Sequence, residues 1–147
     1  AAVRFSVARE PDLAVIEAGV ALARTERCDA VVALGGGSVI DAGKAIAGLA
    51  TNAGAVLDYL EVVGRGQALV QAALPFVAVP TTAGTGAEVT RNAVIGVPAQ
   101  RVKVSLRSPG LLPRVAVVDP DLALGLTPAL TAATGLDALT QLIEPYV

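Results

Sequence analysis

Ala30-Val31-Val32-Ala33-Leu34 runs without a polar residue into Gly35-Gly36-Gly37-Ser38, and the pattern that follows is helical to about Ala50. A short, continuously apolar run predicts a strand buried on both faces, as in a parallel sheet. The glycines predict a tight turn, and the order strand, turn, helix is the unit from which open α/β domains are assembled. On the N-terminal side, Leu13, Ile16, Val20 and Ala23 recur at helical spacing after Pro11-Asp12, predicting a helix to about Arg27. Before it, Val3, Phe5 and Val7 alternate with polar residues and predict a strand fragment.

On the C-terminal side, Thr51–Gly54 breaks the helical pattern, and Val56–Leu60 predicts a further short helix. Gly64-Arg65-Gly66 reads as a loop. Pro75–Val79 is a second apolar strand, stopped by Pro80, and the polar stretch Thr81–Thr90 follows it. Ala93–Val97, Val102–Leu106 and Val115–Val118 are strand-like. Thr127-Pro128 is a helix start, with a capping hydroxyl and Pro at the first helical position. Ala129–Val147 reads as helical, with Gly135 as an interruption. The alternation predicts an α/β fold: a Rossmann-like, mostly parallel sheet with flanking helices.

The 147 residues suffice for one ordinary domain, and a hydrophobic content of 54% speaks against disorder. Eleven basic and thirteen acidic residues leave a net charge of −2, which gives no electrostatic footprint for nucleic acid or an anionic membrane surface. With no histidine in the chain, a Ser–His–Asp triad and a His-based zinc site are excluded within it. A single cysteine, Cys28, excludes an internal disulfide framework, and it reads as a half-buried bystander. No apolar run reaches membrane-spanning length, and no signal peptide is visible, so a cytoplasmic location is expected. Met is absent even at position 1, and the helical pattern runs to the last residue, as expected of a domain truncated at a boundary.

Two segments point to chemistry. Gly35-Gly36-Gly37-Ser38 lies where backbone N–H groups at a helix start can cradle a phosphate, although Ile40 stands where the strict G-x-G-x-x-G pattern has its last glycine. An unliganded strand-to-helix turn explains it equally well. Pro80–Thr90 places four threonines, two glycines and an acid directly after a strand. A purely structural loop has little use for so many hydroxyls, which compete for backbone hydrogen bonds. Both loops fall at C-terminal strand ends, where ligands gather in open sheets. Asp41 and Lys44 read most simply as a first-turn acid and a local ion pair. Asp137 and Gln141 share a helix face, and on spacing alone they are an exposed acid and amide.

Taken together, these segments resemble the iron-containing (group III) alcohol dehydrogenase family. The resemblance is carried by Gly35–Ser38 with Asp41 and Lys44, the Pro80–Thr90 loop, Lys103, Val117-Val118-Asp119-Pro120, Gly135–Gln141 and Ile143–Val147. It implies a dinucleotide-binding α/β domain over residues 1–126, lacking its first strand and helix, and the start of an all-helical metal-binding domain over 127–147. It implies that Gly36, Gly37, Ser38 and Asp41 belong to a cofactor site for NAD or NADP. Thr81, Thr82, Thr90 and Lys103 would surround its phosphates, ribose and nicotinamide. Asp137 matches the family's carboxylate ligand to a divalent metal, Fe²⁺ first and Zn²⁺ second. Gln141 stands at the next ligand position, where the family carries His.

The implied activity is hydride transfer between NAD(P) and an alcohol or aldehyde, with the metal as Lewis acid and a possible homodimer as the assembly. The 147 residues alone are expected to show no turnover. The alternatives are a catalytically inert nucleotide-binding module and a structural piece whose glycine turn binds nothing.

Overall fold

The computed structural model describes residues 2–147. Its elements run α1 (Leu13–Thr25), β1 (Val31–Gly35), α2 (Gly37–Thr51), β2 (Phe76–Pro80), β3 (Asn92–Val97), β4 (Val102–Arg107), β5 (Val115–Ala116) and α3 (Pro128–Ile143). One sheet is parallel, in the order β1-β2-β5, and β3 and β4 form a separate antiparallel hairpin. In the register of β1 and β2, Val31 faces Phe76 and Gly35 faces Pro80. The two strands therefore end side by side, and the glycine turn and the threonine-rich loop leave the sheet as neighbours.

The second helix, α2, organises the core. Nine of its residues are buried, from Ile40 to Leu49, because it lies between the parallel sheet on one side and α1 with the hairpin on the other. Its small residues make that possible: a Cβ on Gly43 would stand 2.6 Å from the Phe76 ring and 2.9 Å from the Ala33 Cβ. A helix buried all round needs close approach on every face, which accounts for the Ala and Gly content of this segment. The flanking helices gather on one face of the sheet. On the other, Val32 and Leu34 remain 66% and 60% exposed.

The C-terminus of α2 is closed by two side chains. Arg24 donates to the carbonyls of Leu49, Ala50 and Asn52 at 2.6–3.0 Å. Asn52, only 1% exposed, donates to Gly48 and Gln71 carbonyls at 2.8 and 3.0 Å and accepts from the Val70 and Gln71 N–H groups at 2.9 Å. Asn52→Ala will cost about 2–3 kcal/mol in urea denaturation, because it removes this clamp and leaves buried backbone groups without partners.

Four local expectations change, the first being that β1, expected to be buried on both faces, is covered on one only, with Val32 and Leu34 exposed on the other. Val3–Val7 forms no strand: among the described residues the segment joins no sheet, and the Phe5 ring instead lies beside Gly19. Gly135 does not interrupt α3, which runs unbroken from Pro128 to Ile143; a mid-helix glycine costs only about 1 kcal/mol. Asp41 lies beyond the first turn of α2, and Lys44 is fully buried rather than part of a surface pair.

Candidate nucleotide-binding cleft

At the C-terminal edge of the parallel sheet, the glycine turn and the threonine-rich loop enclose a cleft of about 650 Å³. Gly36, Gly37, Ser38 and Asp41 line one side, Thr82, Thr85 and Thr90 the other, with Asn92, Glu10 and Lys103 at the rim. The helix cap at Gly36 has φ −74° and no side-chain hydrogen bond, so the first N–H groups of α2 lack intrahelical acceptors. A Cβ on Gly37 would sit 3.0 Å from the Thr85 hydroxyl, and one on Gly36 3.4 Å from the Thr82 methyl. Glycine is needed there for close approach, since ordinary residues adopt that backbone conformation. Gly86 differs: its φ of 63° is left-handed and reverses the chain before the turn at Ala87–Val89.

Of the cofactor-site residues expected from the sequence, the cleft gathers Gly36, Gly37, Ser38, Asp41, Thr82, Thr90 and Lys103. Thr81 is not among its lining residues; its N–H donates to the Gly35 carbonyl at 3.0 Å and extends the ladder between β1 and β2. Thr85, Asn92 and Glu10 join the lining without having been singled out. Thr85 was legible as one more hydroxyl of the loop. Glu10 gave no signal, because it meets Lys103, 93 residues away, only through folding; its carboxylate accepts from the Lys103 ammonium at 2.7 Å.

Beneath the cleft lies a buried charge. The Lys44 ammonium donates to the Thr90 hydroxyl and the Asn92 carbonyl, each at 2.9 Å, and stands 3.7 Å from the Asp41 carboxylate. Asp41 also accepts from the Val94 N–H at 3.1 Å. Burial pushes the Lys44 pKa below its ordinary 10.5, against the pull of Asp41. Burial raises the Asp41 pKa above 3.8, against the Val94 N–H and Lys44.

The signs follow. Between Lys44's lowered pKa and 10.5 the unfolded chain binds a proton that the folded chain has released, so stability rises with pH across that window. Asp41 contributes stability that is full below 3.8 and lost as pH rises through its folded value. Urea denaturation between pH 7.5 and 10.5 will show the wild type gaining stability relative to Lys44→Met.

Asp137 and Gln141 lie exposed on α3. The Gln141 amide donates to the Gly84 carbonyl at 3.0 Å, leaving its Oε1 free. Among the described residues no three His, Cys, Asp or Glu side chains come together. One carboxylate and one amide oxygen fall short of the three protein ligands of a catalytic metal, so the described residues do not form that centre by themselves. Gln141 acts here as a tie between α3 and the threonine-rich loop. Thr134 packs on the same point, because a Cβ on Gly84 would stand 2.7 Å from the Thr134 carbonyl oxygen.

The sequence profile described as iron-containing alcohol dehydrogenase matches residues 1–120. The chain belongs to the iron-containing alcohol dehydrogenase family. It is 47% identical over 137 residues to "Alcohol dehydrogenase 4" of Saccharomyces cerevisiae, covering 93% of this chain and 35% of the yeast protein. It is 45% identical to "4-hydroxybutyrate dehydrogenase" of Cupriavidus necator, covering 93% of this chain and 36% of that one. Among solved structures it resembles sulfoacetaldehyde reductase from Bifidobacterium kashiwanohense, determined in complex with NAD⁺. That match has a TM-score of 0.86 at 39% identity and covers 92% of this chain and 35% of the other. The chain thus spans about a third of the length of these relatives. No helix among the described residues is long and apolar enough to cross a membrane.

Proposed function

We propose that this chain supplies the nicotinamide-dinucleotide site of an oxidoreductase that moves a hydride between NAD(P) and an alcohol or aldehyde carbon. The observation that carries the reading is the cleft itself, in which the open N-terminus of α2 faces a hydroxyl-rich loop at the carboxyl edge of a parallel sheet. Helix N–H groups suit a pyrophosphate, and Gly36, Gly37 and Ser38 would hold it. Thr82 and Thr85 would donate to the phosphates, and Thr90, Asp41 and Lys103 would lie by the sugar and nicotinamide parts. NAD⁺ in the Bifidobacterium reductase makes NAD the first cofactor to test and NADP the second.

Residues 1–126 would form the nucleotide unit, and α3 would open a helical unit from residue 127. Asp137, with Gln141 beside it, would contribute to a divalent metal completed by residues outside the described chain, with Fe²⁺ the first candidate and Zn²⁺ the second. Small alcohols or aldehydes would be the substrates, handled in the cytoplasm. The inert-module reading shares the cleft and parts from this one at turnover; it draws support from the two-oxygen donor set on α3.

Fluorescence titration with NADH tests the binding. Residues 1–147 are expected to bind NADH with micromolar affinity and to oxidise no alcohol, whereas the whole polypeptide supplied with Fe²⁺ or Zn²⁺ reduces NAD⁺ with a simple alcohol. Absence of NADH binding overturns the reading, and binding without turnover by the whole polypeptide establishes the inert module.

A further inference from the structure

We propose that Lys44 is a positioning residue for the bound nucleotide: from beneath the cleft it holds the Thr90 hydroxyl so that Thr90 presents a lone pair, and no proton, to the ligand. The inference rests on the nucleotide-binding reading and adds to it the polarity of one contact. A threonine hydroxyl has one proton and two lone pairs, and an ammonium only donates. The Lys44 ammonium, 2.9 Å away, occupies one lone pair. The hydroxyl proton is directed to the Ala87 carbonyl at 3.3 Å. One lone pair remains uncommitted, and Thr90 is one of the residues that line the cleft.

Lys44 itself is 0% exposed and reaches no ligand, so its influence passes through Thr90 and through Asn92, whose carbonyl it also holds at 2.9 Å. The Asp41 carboxylate stands 3.7 Å from the same ammonium and balances its charge. The four groups tie α2, whose N-terminus opens into the cleft, to the end of the threonine-rich loop.

An acceptor-only Thr90 is the wrong partner for a phosphate oxygen, which also only accepts. It suits a ligand donor, such as a ribose hydroxyl or the carboxamide N–H of nicotinamide. The threonines of this loop are therefore not equivalent: among the described residues no ammonium donates to the hydroxyl of Thr82 or Thr85, and both remain able to donate to phosphate.

The test is NADH titration of the whole protein at several salt concentrations, with thermal unfolding of each variant. Thr90→Val is expected to weaken NADH binding about tenfold, the loss of one unreplaced hydrogen bond. Its salt dependence should match the wild type, because the lost partner is a neutral donor. Thr90→Ser should bind as the wild type does. Lys44→Met should weaken binding about as much as Thr90→Val, and the two changes combined should cost little more than either alone. Should Lys44→Met fail to fold, Lys44→Gln, whose amide still donates, takes its place and should lose less than Thr90→Val.

A flattened salt dependence in Thr90→Val overturns the proposal, since Thr90 would then be holding phosphate. So do multiplicative effects at the two positions, or wild-type affinity when Lys44 is replaced by Met. A wild-type protein that binds no NADH overturns the nucleotide reading and this inference with it.

Discussion

Gly37→Val will reduce NADH affinity by about a hundredfold or more while leaving the domain folded. The backbone at these two positions is ordinary, with Gly36 at φ −74° and Gly37 in the first turn of α2, so a side chain at Gly37 brings no conformational strain. What it brings is volume. The Cβ alone would lie 3.0 and 3.1 Å from the hydroxyl and methyl of Thr85, and the branches of valine would push the threonine-rich loop away from the helix start. They would also cover the N–H groups that an anion must approach. Calorimetric titration with NADH checks the affinity and thermal unfolding checks the fold. Gly37→Ala should fall between valine and the wild type. A valine variant that binds normally would mean the nucleotide does not use this turn.

Asp41→Ala will destabilise the domain by about 3–5 kcal/mol, the range found when one member of a buried ion pair is removed. Two groups are affected at once: the Lys44 ammonium, 0% exposed, loses the carboxylate 3.7 Å away, and the Val94 N–H, which donates to Asp41 at 3.1 Å, loses its acceptor. Asp41→Asn keeps an acceptor for Val94 and should lose less. The double variant Asp41→Asn, Lys44→Met removes both charges and should recover most of the loss, because a buried pair replaced by neutral groups of similar size is often nearly neutral in stability. Urea denaturation of the three variants at one pH measures this directly. Equal losses in the single and double variants would show that the charge pair is not the source of the cost.

Much of the architecture was legible along the chain because it is written in short-range chemistry. An apolar run of five residues closed by glycines is too short for a helix and reads as a strand and turn, and Thr127-Pro128 marks a helix start whose cap forms as expected, the Thr127 hydroxyl accepting from the Leu130 N–H at 3.3 Å. The failures share a different cause. Val3–Val7 alternates like a strand, yet alternation specifies only which faces differ, and a strand also requires a partner. Gly135 looks like a break, yet a helix absorbs the entropy of one glycine without a tertiary contact to lose.

The sequence by itself determined the alternating α/β order and the two polar loops at the strand ends, and its motifs carried the resemblance to the family. Each depends on residues within a few positions of one another, where steric and hydrogen-bonding preferences act locally. Only the tertiary structure decided what Lys44 and Gln141 do. A lysine three residues after an aspartate on a helix reads as a solvated ion pair, and it becomes a buried strut because β3 covers α2 and brings Thr90 and Asn92, 46 and 48 residues away, onto its ammonium. Gln141 reads as a surface amide and ties α3 to Gly84 across 57 residues. Burial and partner identity at such distances are properties of the packed chain, since desolvation is set by whatever folds over a group and not by its neighbours in sequence.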